Sequence, residues 1–224
     1  MRQRLMVALD VPGRDEALSM RDRLGESVQW LKVGLCLFVA EGPQLVRQLQ
    51  ETHRVFLDLK FHDIPNTVAQ AVASAGDTGV DMVNVHAAGG AAMLGAAAQA
   101  AEAFPDMRVI AVTVLTSDTM DMVSAREMAL ERAKMAQAAG LDGVVCSVHE
   151  VAAIKAACGD GFVAVTPGIR WGDQDTQDQA RVADPAMAVR AGADHIVVGR
   201  PILQAADPRA AAEQAVAMME HAHA

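Results

Sequence analysis

Cysteine is scarce in this chain of 224 residues. The three present, Cys36, Cys146 and Cys158, are odd in number and form no CxxC spacing, which suits buried, reduced thiols in a cytosolic protein. Basic residues are also short, with 19 Lys and Arg against 28 Asp and Glu and a formal charge of -9. A nucleic-acid or anionic-membrane binder needs a cationic surplus, so neither partner is expected and any anion must be caught locally. Long apolar runs are missing too. The apolar stretch in the opening MRQRLMVALDVPG is too brief for a secretory segment and is interrupted by Asp10, and nothing later is long enough to span a bilayer. The expectation is a cytoplasmic protein. No linker or low-complexity tract divides the chain, and 52% hydrophobic residues can fill one core, so a single domain over 1–224 is expected.

What is present is alternation. Short runs rich in β-branched residues recur as LMVALD, WLKVGL, VFLDLK, MVNVHA, RVIAVTV, GVVCSV, FVAVTPG and HIVVG. Ala-rich stretches with apolar residues at helical spacing separate them, such as Ala17, Met20 and Leu24. Asp184-Pro185 and Asp207-Pro208 each offer a capping carboxylate and a proline suited to a first helical turn. A phrase repeats at the other helix ends: GVDMVNV, GLDGVVC and GADHIVV each place a helix-ending glycine shortly before an acidic residue and a strand. Eight apolar strands alternating with helices point to a parallel sheet closed as a (β/α)8 barrel. The rival, an open doubly wound sheet, lacks its glycine-rich GxGxxG turn after the first strand.

Function in such a barrel gathers at the carboxyl ends of the strands. In FLDLKFHDIPNT, Asp58 and Lys60 are two apart, which turns both inward with Phe56 while Leu57 and Leu59 face the helices. Charges sealed in an apolar interior lose several kcal/mol of hydration, so the pair needs mutual support or a task. Lys32 and Asp63 reach the same rim. This alternation of signs can hold an anionic substrate beside an ammonium proton donor. Glycine and arginine end the eighth strand at Gly199 and Arg200, and TPGIR ends the seventh, together a phosphate cradle. The polar stretch WGDQDTQDQARVADP is longer than a strand-to-helix link requires and reads as a lid from which Arg170 and Gln179 reach ligand oxygens. His86 has no strong metal-ligand spacing, and Lys32 and Lys60 would crowd a divalent cation, so no metal is expected and His86 is assigned to hydrogen bonding or packing.

DLKFHDIPNT resembles the signature segment of the orotidine 5'-phosphate decarboxylase family. ALDVP, LKVG, TVLTS, PGIR, DQAR and VVGRPI follow in that family's order across nearly the whole chain. The D-x-K-x-x-D core is shared with metal-dependent sugar-phosphate relatives; its extension to DIPNT, with Lys32 in place, narrows the match. The resemblance implies decarboxylation of orotidine 5'-monophosphate to uridine 5'-monophosphate without a cofactor. Lys60 would donate the proton within a charged array of Lys32, Asp58, Lys60 and Asp63. It implies a homodimer in which Asp63 and Thr67 reach the partner's site near the ribose. Asp10 would contact ribose and Thr116 the pyrimidine, while Arg170, Gln179, Gly199 and Arg200 would hold the phosphate or ring. Trp171 stands where many relatives are expected to carry proline, which bears on the lid's shape and not on the chemistry. Against this stand a Schiff-base aldolase using Lys60, a magnesium-dependent sugar-phosphate enzyme, and a silent phosphoribosyl binder.

Overall fold

All eight β-branched runs form strands in the computed structural model, which describes residues 1–115, 121–171 and 183–223. They are β1 (Leu5–Ala8), β2 (Trp30–Gly34), β3 (Arg54–Phe61), β4 (Met82–His86), β5 (Arg108–Val112), β6 (Gly143–Val145), β7 (Val163–Thr166) and β8 (His195–Val198). Each pairs in parallel with the next, and β8 closes on β1, so the sheet is a barrel with no edge. The helices are α1 (Arg14–Leu24), α2 (Leu35–Gln50), α3 (Pro65–Gly76), α4 (Gly90–Ala101), α5 (Met122–Ala138), α6 (Val148–Cys158), α7 (Pro185–Ala191), α8 (Arg200–Leu203) and α9 (Pro208–His223). Among the described residues no helix is long and apolar enough to cross a membrane.

Strand alternation sorts the apolar side chains into two cores. Leu5, Val7, Leu31, Val33, Val55, Leu57, Val83 and Val85 face outward and pack with helix residues such as Leu24, Leu45, Val68 and Leu94. Met6, Trp30, Phe56, Met82, Ile110, Val163 and Val165 point inward and form a plug near the strands' amino ends. Each large apolar side chain buried this way contributes about 1.5–3 kcal/mol, and the two cores together hold the cylinder closed.

The repeated glycine-to-acid phrase has a structural purpose. Gly79, Gly140 and Gly192 turn the chain within three residues of their helices' ends at φ values of 87°, 87° and 95°, a region that L side chains resist. Two residues later Asp81, Asp142 and Asp194 each accept a hydrogen bond from the backbone of the preceding strand: Val55 N at 2.9 Å, Val109 N at 2.7 Å and Ala164 N at 2.7 Å. Each aspartate's own N–H donates back to Val55 O, Val109 O or Ala164 O. The acids therefore pin strand starts together. The proline-marked helices begin as expected, with Asp184 accepting from Met187 N at 2.7 Å and Asp207 from Ala210 N at 3.1 Å.

The expectation of three buried thiols fails for one of them. Cys146 is buried and Cys158 partly so, but Cys36 is exposed near the start of α2, beside exposed Leu35, because both fall on that helix's outer face.

Candidate active site

Above the plug the inward positions change character. Lys32 lies within β2, earlier in its strand than a position at the strand's end, and its Nζ stands 3.2 Å from Asp10 Oδ1 and 3.4 Å from Asp58 Oδ2. Asp58 Oδ1 in turn accepts from Lys60 Nζ at 2.6 Å. The result is a continuous row, Asp10, Lys32, Asp58 and Lys60, with signs alternating. Side-chain exposure is 10% for Lys32 and 15% for Asp58 but 40% for Lys60, so of the two ammonium groups that of Lys60 is the more open.

Burial would push the Asp58 carboxyl upward, but the charges of Lys32 and Lys60, with hydrogen bonds from Lys60 and Asn84, outweigh it and hold its pKa below the usual carboxylate range. Asp58 is thus a fixed anion between two cations. Glycine clears space for the row, since a Cβ on Gly34 would lie 3.1 Å from Lys32 Nζ and one on Gly199 would lie 3.4 Å from Asp10 Oδ2.

The strand bends to present Lys60. Leu57 pairs with Val83 but the next partners are Phe61 and Val85, so β3 carries a bulge against β4. Within it Lys60 adopts φ 54°, where a non-glycine residue costs about 1–2 kcal/mol. The bulge is held by Asn84, fully buried on β4, whose Oδ1 accepts from Lys60 N at 2.7 Å and whose Nδ2 donates to Asp58 Oδ1 at 2.7 Å. Reading the sequence missed Asn84. The available signal was an amide on the inward parity of an apolar run, in step with Met82.

Asp10, Lys32, Asp58 and Lys60 line a cavity of about 540 Å³ together with Gly168, Arg170, Gly199 and Arg200 from the ends of β7 and β8. Val112, Val114, Leu115, Val145 and Ile169 add an apolar wall. Arg170 N donates to Ala183 O at 2.9 Å and Ala183 N donates to Gly168 O at 3.2 Å, tying the end of β7 to the approach of α7. This is a concave site that sets cations and backbone groups, suited to an anionic ligand, against one apolar wall.

A hollow of about 1170 Å³ opens at the other end of the barrel, and size alone would favour it. Four of its lining charges pair locally, Arg21 with Asp22 at 2.7 Å and Arg54 with Asp81 at 3.8 Å, and Arg54 lies 5.6 Å over Trp30. The row of alternating charges lies in the smaller cavity.

Asp63 and Thr67 do not line their own chain's cavity. Both are exposed beyond β3, and Asp63 Oδ1 accepts from Ile64 N at 2.7 Å. Thr116, Gln179 and most of the stretch read as a lid lie outside the described residues. His86 packs as expected, its Nδ1 accepting from Ala88 N at 3.1 Å and its ring stacked on His62 at 5.3 Å.

Known proteins resemble this chain over most of its length. Residues 3–215 match the model of the orotidine 5'-phosphate decarboxylase / HUMPS family. The chain is 53% identical over 217 residues to an orotidine 5'-phosphate decarboxylase of Alkalilimnicola ehrlichii, covering 93% of this chain and 92% of that protein. It is 51% identical to the same-named protein of Sodalis glossinidius, over 92% of this chain and 86% of the relative. A crystal structure of orotidine 5'-phosphate decarboxylase from Lactobacillus acidophilus superposes with a TM-score of 0.85 at 36% identity, covering 97% of this chain and 99% of that one.

Proposed function

Since the chain belongs to the orotidine 5'-phosphate decarboxylase / HUMPS family, we propose that its upper cavity removes CO2 from orotidine 5'-monophosphate with Lys60 as proton donor and without metal or cofactor. The observation that carries this reading is the Lys60 ammonium, open to the cavity and held 2.6 Å from the partly buried Asp58 carboxylate. The bond between the ring carbon and its carboxylate breaks, and CO2 leaves without the electron pair. The pair remains on the ring carbon, which takes a proton from Lys60 Nζ; solvent then restores that proton. The ammonium also lies where it can stabilise negative charge as it develops, before any proton moves. Asp58 stands beside the departing carboxylate and repels it, while Lys32 keeps Asp58 ionised.

Gly199, Arg200 and Arg170 are proposed to grip the phosphate, Asp10 the ribose, and Thr116 and Gln179 the pyrimidine and phosphate. Binding energy from that remote group then supports the chemical step. The partner is proposed to be a second copy. Asp63 and Thr67 are exposed beside Ile64, while Leu35 and Val39 are exposed after the neighbouring strand, at 66%, 58% and 76% respectively, a set of apolar side chains suited to contact between subunits. Asp63 of each chain would then complete the charged row of the other.

A spectrophotometric assay of orotidine 5'-monophosphate conversion tests the reading. Turnover is expected to persist in EDTA and to disappear in Lys60→Ala. Dependence on added magnesium would favour the sugar-phosphate chemistry of the wider family, and borohydride trapping of substrate on Lys60 would favour a Schiff base.

A further inference from the structure

We infer that Asn84 is a positioning residue for the reaction, one amide that fixes both the root and the head of Lys60. The inference rests on the proposed role of Lys60 as proton donor. The root is held because Lys60 N, displaced from the ladder by the bulge in β3, donates to Asn84 Oδ1 at 2.7 Å. The head is held because Asn84 Nδ2 donates, also at 2.7 Å, to Asp58 Oδ1, the same oxygen that accepts from Lys60 Nζ.

The chemistry of the two partners dictates the side chain. A backbone N–H only donates and a carboxylate only accepts, so the group between them must accept on one side and donate on the other. Asparagine does both at this length. Asn84 is itself fixed because its strand position pairs with Ile110 on β5 and none of its surface reaches solvent. A buried amide satisfied on both sides has one arrangement, whereas a half-satisfied one drives its neighbours to move. The left-handed backbone of Lys60 is therefore maintained from the adjacent strand and not by its own residue type.

Asn84→Asp and Asn84→Leu separate this role from mere packing. Leucine can make neither bond, and kcat is expected to fall roughly a hundredfold with KM changed less than about threefold. Aspartate, when ionised, repels Asp58; when protonated its C=O can accept from Lys60 N and its O–H can donate to Asp58, reproducing asparagine. Relative to wild type at each pH, kcat of Asn84→Asp should therefore rise as pH is lowered from about 8 to about 5.5, whereas Asn84→Leu should show no such recovery. Losses in Asn84→Asp and Asn84→Leu that run parallel at every pH, or kcat within threefold of wild type in both, overturn the inference. Amide hydrogen exchange on the unmodified protein serves if the variants fail to fold: Lys60 N–H is expected to exchange slowly although it lies outside the ladder, and rapid exchange overturns the inference. Lys60→Ala assayed alongside distinguishes the two claims. Normal turnover there removes the lysine's role and this inference with it, while an inactive Lys60→Ala with normal Asn84 variants removes this inference alone.

Discussion

Two levels of the barrel interior, one pleat apart, have opposite chemistry. At the lower level Met6, Trp30, Phe56 and Met82 point inward; two residues further along the same strands the inward positions are Ala8, Lys32, Asp58 and Asn84. A pleat repeat rises only about 6.6 Å. The apolar plug is thus the floor on which the charged row stands, and it keeps water from the underside of Asp58. The upper level is supplied with polar partners, each carboxylate meeting an ammonium and the one amide using both ends. The lesson is a division of labour: the lower level holds the fold, and the upper level uses that rigidity to hold charges in place.

Breaking the upper level should cost function far more than stability. Lys60→Ala is expected to lose at least about 10⁴-fold in kcat, roughly 5.5 kcal/mol of barrier, while its thermal midpoint stays close to wild type. A melting temperature that collapses along with activity would contradict the division. Trp30→Ala attacks the lower level and should destabilise by about 3–5 kcal/mol in denaturant titration, with kcat/KM of the folded protein within about threefold of wild type.

Acid sharpens the contrast. Burial lowers the pKa of His195 to about 4 against the opposing charge of Asp194, and its ring meets Trp30 edge-on at 5.4 Å. A depressed histidine favours the fold fully above its unfolded pKa of about 6.5 and loses that contribution as pH falls toward 4. Denaturant titrations at pH 7 and pH 4 should show wild type losing roughly 2–3 kcal/mol more than His195→Gln. The lowered pKa of Asp58 acts lower still, its contribution being present above the usual carboxylate value and lost beneath it. The smallest effect is expected for Gly34→Ala, whose new methyl would press on Lys32 Nζ. A loss of about tenfold in kcat/KM with unchanged stability is anticipated, and an unaffected enzyme would show that Lys32 has room to shift.

The barrel and most of the row were legible in the sequence because both depend on local periodicity. Alternation alone turns Asp58 and Lys60 inward, and strand-helix repetition closes the sheet. The strained backbone of Lys60 was not legible, since nothing in LDLKF marks a left-handed residue; Asn84, 24 positions away, holds it. The repeated aspartates could be seen as a pattern but not understood, because their partners lie 26 to 33 residues earlier. Asp63 and Thr67 are exposed outside the lining of their own cavity, and a single chain's sequence does not reveal whether a second copy completes a site with them.

Asp81, Asp142 and Asp194 fasten the foot of one strand to the foot of its neighbour, so the stagger of the staves is decided before the chain rises past the plug. Loops at the rim can then lengthen, shorten or trade residues without re-indexing the cylinder beneath. New reactions can be tried on an unchanged cask.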